Sequence, residues 1–306
     1  MAAMRRPVSL IGAPTDIGAS VRGAGMGPDA LRVAGLLEAL RASKLEVVDR
    51  GNLAGPPNPW QPPHNGTRHL PEVVAWNWAV YTAVDQALSD GHVPLLMGGD
   101  HSLALGSISA VARHCRASGR QLRVVWLDAH TDINTESISP SGNLHGMPVS
   151  CLLGHGPRDL VGWSGEPAAI TPEQIDFVGI RSVDADEKQA IRQLGLQVFD
   201  MRHIDEHGMR TTMAEVLQDV HDDTHLHVSF DLDCLDPLDA PGVGTGVRGG
   251  PTYREMQLCM EMIADTGRLA SLDVVEINPA LDVRNRTAEL AVDFVLSLFG
   301  ASTLQR

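Results

Sequence analysis

The chain has 306 residues, 43% hydrophobic and 20% charged, which is enough apolar material to bury one large core. Its formal net charge of −14 excludes nucleic acid and anionic membrane surfaces as partners, since both would repel it on average. The four cysteines, Cys115, Cys151, Cys234 and Cys259, show neither the paired spacing of a zinc knuckle nor a disulfide framework.

The predicted elements alternate strand and helix. Residues 8–13 read as a strand, followed by a turn rich in glycine (Gly18, Gly23, Gly25, Gly27). A helix is expected over 28–40, with Pro28 in its first turn. A short strand covers 45–48. Residues 51–71 form a Pro/Gly/Asn-rich loop, long for a compact domain and therefore a candidate functional or subunit-facing element. Residues 72–89 carry apolar side chains at helical spacing (Val73, Val80, Val84, Leu88), and Gly91 closes that helix. Strands follow near Val93, Leu122, Ile175, Gln197, Leu226 and Leu269, and a last helix covers 285–298.

This alternation predicts a single α/β domain over 1–306, with a mostly parallel central sheet and helices on both faces. No stretch approaches the ~20 apolar residues of a membrane helix. Residues 1–10 lack the apolar segment of a leader peptide, so a cytoplasmic location is expected.

The chemistry gathers where predicted strands end. Leu122-Arg123-Val124-Val125-Trp126-Leu127 runs into Asp128-Ala129-His130-Thr131-Asp132, and Leu226-His227-Val228-Ser229-Phe230 runs into Asp231-Leu232-Asp233. In an extended backbone alternate residues project to one side, so Asp128, His130 and Asp132 can converge on one point, and Asp231 can converge with Asp233. His101, in Gly98-Gly99-Asp100-His101-Ser102, also follows an apolar run. A single aspartate after a strand is commonly a helix cap or turn residue. Capping alone does not produce alternating carboxylate and imidazole at two strand ends with a histidine at a third. His225 and His227 lie near the start of a strand, away from its tip, and are expected to face solvent or a polar neighbour.

In parallel sheets ligands sit beyond the carboxyl ends of the strands, where these residues are placed. Four carboxylates and two imidazoles exceed what one small ion needs, and this hard, mixed set suits a pair of Mn²⁺ ions. Two ions at ~3.5–4 Å would share a hydroxide and make it a nucleophile near neutral pH, which points to metal-assisted hydrolysis.

Taken together, Gly98-Gly99-Asp100-His101-Ser102, Asp128-Ala129-His130-Thr131-Asp132-Ile133-Asn134, Ser141-Gly142-Asn143-Leu144-His145-Gly146, Asp231-Leu232-Asp233 and Glu276-Ile277-Asn278-Pro279 resemble the ureohydrolases, and among them the arginases. The resemblance implies an arginase-like α/β fold with a binuclear manganese centre. His101, Asp128, Asp132 and Asp231 would hold one ion or bridge, with His130 and Asp233 completing the pair. The implied reaction is hydrolysis of the guanidinium of L-arginine to urea and L-ornithine, with His145, Glu276 and Asp132 as catalytic residues.

Glu276, at the end of a strand, is placed to pair with a guanidinium through two hydrogen bonds. His145 has the pKa needed to pass a proton to the leaving amine. By the same resemblance Asn134, Ser141 and Asn143 contact the α-carboxylate, Asp184 receives the α-ammonium, and Thr245 lines the pocket. The chain departs from the pattern at Ser182, where many arginases carry a second acid. The alternatives are a hydrolase of agmatine or of a guanidino acid, favoured slightly by the first loop (Asp16-Ile17-Gly18-Ala19-Ser20), and a non-catalytic arginine or metal sensor. The 51–71 loop and Tyr253-Arg254-Glu255 resemble features of ureohydrolases that assemble as trimers or hexamers.

Overall fold

Eight strands pair into one sheet in the computed structural model, which describes residues 6–304. They are β1 (Val8–Gly12), β2 (Val47–Asn52), β3 (Val93–Met97), β4 (Gln121–Leu127), β5 (Ile175–Ile180), β6 (Gln197–Asp200), β7 (Thr224–Asp231) and β8 (Leu269–Val275). Every pairing is parallel, in the order β2-β1-β3-β8-β7-β4-β5-β6. The fold is a single α/β domain, as the alternation predicts. Residues 1–5 of the stretch read for a leader lie outside the described residues.

Burial explains the strand sequences. Inner strands β1, β3, β5 and β7 are buried at every position, whereas the edge strands β2 and β6 have exposed residues. Successive side chains point to opposite faces. Leu10, Leu95, Val125 and Phe230 join one apolar cluster, and Ile11, Leu96, Trp126 and Phe177 join another on the other face.

The centre of that second face is polar. His225, His227 and Ser229 alternate along β7, with Ser271 and Asp273 beside them on β8. Ser271 Oγ lies 3.0 Å from His225 Nε2 and 2.8 Å from His227 Nδ1, and Ser107 donates to Asp273 at 2.6 Å. Of the two surroundings expected, solvent or a polar neighbour, both histidines have the second, buried on Ser271. Strand β7 is central and covered on both sides, which periodicity alone does not reveal.

Two helix boundaries also differ from expectation. The 28–40 helix is two helices, Gly27–Val33 and Leu36–Ala42, broken at Gly35, whose φ of 83° leaves the helical region. The next helix begins earlier, at Leu70, and runs to Ser89. The loop before it contains one two-residue bridge, His64 to Thr67, around Asn65 (φ 50°) and Gly66 (φ 79°). Two successive positive φ values are what a type I′ turn requires, and Asn-Gly is its strongest sequence signal.

Register brings the strand ends level. Leu127 pairs with Phe230, Asp231 with Val275, and Met97 with Val274. The residues that follow therefore emerge together from four adjacent strands, β3, β8, β7 and β4. Gly98 is needed at this crowded edge, because a Cβ there would lie 2.5 Å from Val275 Cγ1.

Candidate metal centre and binding cavity

Each predicted ligand comes from one of those strand ends, but not by simple alternation. Asp128, Ala129 and His130 form a bend after β4, and Asp132 reaches the cluster through a left-handed backbone (φ 51°). Asp231 is the last residue of β7, and Asp233 lies in the single turn Leu232–Cys234. Carboxylate hydrogen bonds to the local backbone shape these turns. Asp128 Oδ1 accepts from His130 N at 2.6 Å, and Asp231 Oδ1 accepts from Asp233 N at 2.7 Å. The capping chemistry weighed against ligation is thus present on one oxygen of each, while Asp231 Oδ2 and both oxygens of Asp128 face the cluster.

Two ligand groups form around a shared residue, His101–Asp128–Asp231 and Asp128–His130–Asp233. His101 Nδ1 lies 3.1 Å from Asp128 Oδ2, 3.1 Å from Asp231 Oδ2 and 3.3 Å from Asp132 Oδ2. Yet this buried nitrogen makes no hydrogen bond. Donors ringed by acceptors without bonding any of them are disposed as ligands around a common point, so the residues fit a cation. His130 Nδ1 faces Asp233 Oδ2 at 3.1 Å and Asp128 Oδ1 at 3.5 Å. Asp128 thus presents one oxygen to each group.

Outer contacts fix these ligands. His101 Nε2 bonds Ser229 Oγ at 2.9 Å, which leaves Nδ1 as the free ring nitrogen. Its ring stacks on Trp126 with centroids 4.0 Å apart, and Trp126 Nε1 donates to Asp128 Oδ2 at 2.9 Å. Thr245 Oγ1 donates to Asp233 Oδ2 at 2.8 Å, so Thr245 touches the cluster as well as the cavity.

The electrostatics show what the protein must do alone. Burial pushes Asp132 up to about 7, with the charge of Asp128 adding to the effect, and burial with Asp233 and Asp128 drives Asp231 well above the usual range. Burial works against His130 carrying charge, but Asp233 and Asp128 outweigh it and raise its imidazole to about 12.

Glu276 follows β8 with φ 62°, and its Oε1 accepts from His101 N and from His145 Nδ1, both at 2.9 Å. One oxygen is thereby committed, so the pairing expected of both oxygens with a guanidinium is reduced to Oε2. Burial opposes charge on His145, but Glu276 reverses that and raises it to about 9. Asp100 is a cap, accepting from Gly18 N and Ser102 N.

A cavity of about 290 Å³ opens beside the cluster. Its inner wall includes His130, Asp132, Asp231, Asp233 and His145. Asn134, Ser141, Asn143, Asp184, Ser182 and Thr245 line it too, so the structure brings together the predicted substrate residues. Glu276 adjoins that wall through its hydrogen bond to His145.

Glu187 was missed by sequence reasoning. It lines the cavity beside Asp184, bonding Asp184 N at 2.9 Å and Thr131 Oγ1 at 3.0 Å. The spacing Asp184-x-x-Glu187 signals a capping box, and that local role hides its place on the wall.

Comparison with known proteins agrees with this geometry. A family model described as the arginase family matches residues 6–300. An arginase of Bacillus caldovelox is 43% identical over 96% of this chain and 98% of its own. An arginase of Brucella melitensis biotype 1 is 44% identical, covering 97% of each. The crystal structure of an arginase from Bacillus subtilis superposes with a TM-score of 0.92 at 40% identity, over 98% of this chain and 100% of that one.

Proposed function

The chain belongs to the arginase family, and from that premise we propose that it hydrolyses the guanidinium of L-arginine to urea and L-ornithine at a centre of two Mn²⁺ ions. The observation that carries the reading is the continuity of one cavity, from the carboxylate and imidazole cluster to neutral donors at Asn134, Ser141 and Asn143 and acids at Asp184 and Glu187. A substrate with a guanidinium at one end and an α-amino acid at the other matches that sequence of groups.

His101, Asp128, Asp132 and Asp231 would hold one ion and Asp128, His130 and Asp233 the other. The hard oxygen-rich set favours Mn²⁺ over Zn²⁺. Bound there, such ions supply Lewis acidity that activates water near neutral pH.

The remaining work falls to side chains. Glu276 Oε2 is left to pair with the guanidinium, holding its carbon against the cluster. Asp132, on the cavity wall, is placed to take a proton from the attacking water. As the carbon–nitrogen bond to the ornithine δ-nitrogen breaks, that nitrogen needs a proton. His145, with Nδ1 engaged by Glu276, has Nε2 left to deliver it.

At the far end, Asn134, Ser141 and Asn143 receive the α-carboxylate. Asn134 would do so through its Nδ2 donor, because its buried, unpartnered Oδ1 is an acceptor and cannot bond a carboxylate. Asp184 and Glu187 receive the α-ammonium, and Glu187 offsets the acid missing at Ser182. Agmatine lacks the carboxylate and would leave those donors unpaired. The two-group cluster with His145 beside it exceeds what a sensor requires. The reading takes 1–306 as one cytoplasmic domain that assembles as a trimer or hexamer. Among the described residues no helix is long and apolar enough to cross a membrane.

Urea release measured on a panel of guanidino compounds, after loading with Mn²⁺, tests the reading. Agmatine turned over as well as L-arginine would overturn it.

A further inference from the structure

The 51–71 loop, long enough to suggest a function, has no part in the chemistry above. Its tip instead lies against the back of the segment that carries Asn134, Ser141 and Asn143. At the type I′ turn, Gly66 packs so closely on this segment that a Cβ would lie 2.1 Å from the carbonyl oxygen of Glu136. From the opposite side, a Cβ on Gly142 would lie 3.1 Å from the Gly66 carbonyl oxygen and 3.1 Å from Pro63. Two glycines thus let two backbones touch.

Arg68 fastens the contact. Its backbone N–H donates to Gly142 O at 2.8 Å, and its Nε donates to Ser141 O at 3.3 Å. A further bond from its guanidinium to Gln61 O, at 3.3 Å, ties the side chain back to its own loop. The base of the loop is held by His69, whose Nδ1 bonds Ile17 O at 2.9 Å and whose Nε2 accepts from Gln61 N at 3.0 Å. None of these loop residues lines the cavity.

We infer that the 51–71 loop is a specificity element: through Gly66 and Arg68 it sets the position of Ser141 and Asn143 and so selects guanidino compounds that carry an α-carboxylate. Hydrogen-bond strength falls steeply with misalignment, so a displaced backbone at 141–143 weakens carboxylate binding while the cluster, anchored on strand ends, stays in place. This inference rests on the proposal that Ser141 and Asn143 receive that carboxylate.

The test uses full-length protein loaded with Mn²⁺ and three variants, Gly66→Ala, Arg68→Ala and Asn143→Ala. Gly66→Ala is expected to raise KM for L-arginine at least 10-fold with kcat within about 2-fold, since its methyl must push Glu136 away. Arg68→Ala, which loses the Nε bond but keeps the backbone bond, is expected to raise it about 3-fold. In both, metal content and kcat/KM for agmatine stay at the wild-type value.

Arginine and agmatine kinetics falling in parallel, or an unchanged KM for arginine in Arg68→Ala, would overturn the inference. If Gly66→Ala does not fold, Arg68→Ala decides alone. Asn143→Ala separates the two levels of argument. No change in KM there overturns the carboxylate assignment itself, whereas a rise there with none in the loop variants overturns only the role of the loop.

Discussion

Nδ1 of His145 lies 2.9 Å from Oε1 of Glu276, so a single hydrogen bond joins the residue placed to carry a proton to the residue placed to hold the guanidinium. Groups that act as one unit lose their effect together. His145→Asn and Glu276→Gln are each expected to lower kcat by about 10²-fold or more, the range of general acid catalysis. The double variant should be little slower than the worse single variant. Losses that multiply in steady-state kinetics would mean the two residues act independently.

Chelation is expected to abolish activity, with Mn²⁺ restoring it better than Zn²⁺ or Mg²⁺. The shared position of Asp128 adds a stoichiometric prediction. Asp128→Asn should deplete both ions, because it faces His101 and His130 alike, whereas His130→Asn should deplete one. Metal analysis of the purified variants by mass spectrometry decides this. An Asp128→Asn protein that retains two ions per chain would refute the shared role.

Charge-assisted hydrogen bonds are worth roughly 1.5–3 kcal/mol each, so two or three to the α-carboxylate should favour arginine over agmatine by about 10²-fold or more in kcat/KM. Asn134→Ala should shrink that ratio by about 10-fold. Glu187→Gln should raise KM for arginine, and Ser182→Asp should lower it. Glu187→Gln also disturbs the helix cap at Asp184, so thermal melting must be measured beside the kinetics. An unchanged KM in a fully folded Glu187→Gln protein would remove Glu187 from the ammonium site.

Burial holds the His225 imidazole well below its usual pKa, with His227, Arg6, His114 and Arg120 adding to the effect. The folded chain therefore refuses a proton that the unfolded chain takes up below about pH 6.5. Stability from this group is complete above that pH and declines as pH falls, by at most about 1.4 kcal/mol per unit. His225→Gln should flatten the fall in melting temperature between pH 7 and 5 relative to wild type. Identical slopes in the two proteins would count against His225 as the source.

Assembly is tested by light scattering, where a trimer or hexamer is expected at micromolar concentration and a monomer would refute it. In the Tyr253-Arg254-Glu255 segment, Glu255 is engaged within its own chain. Its Oε2 accepts from Thr252 N and Oγ1, both at 2.8 Å, and caps the helix Tyr253–Asp265.

The candidate ligand set was legible in the sequence because apolar β-prone runs mark where strands stop, and the six metal candidates all stand at or just past such stops. Alternation explains their convergence only in part. Alternation in an extended strand does not describe Asp132 or Glu276, which reach their places through positive φ, and no residue type announces that for an aspartate or glutamate. Gly35 inside a helical pattern and Asn65-Gly66 inside a loop were readable turn signals that went unused. His225 and His227 could not be placed from their own segment, since their burial depends on which strands flank β7. Glu187 was hidden because its local capping role explains its presence without reference to the cavity.

Strands β7 and β8, last in the chain, lie between β3 and β4 in the sheet. A ribosome-bound chain that has emerged only as far as residue 220 already holds His101, Asp128 and His130, yet lacks the two strands that seat them side by side. Assembly of the His101–Asp128–Asp231 group therefore waits on the long-range closure of the sheet's centre, a slow event by the usual dependence of folding rate on contact order.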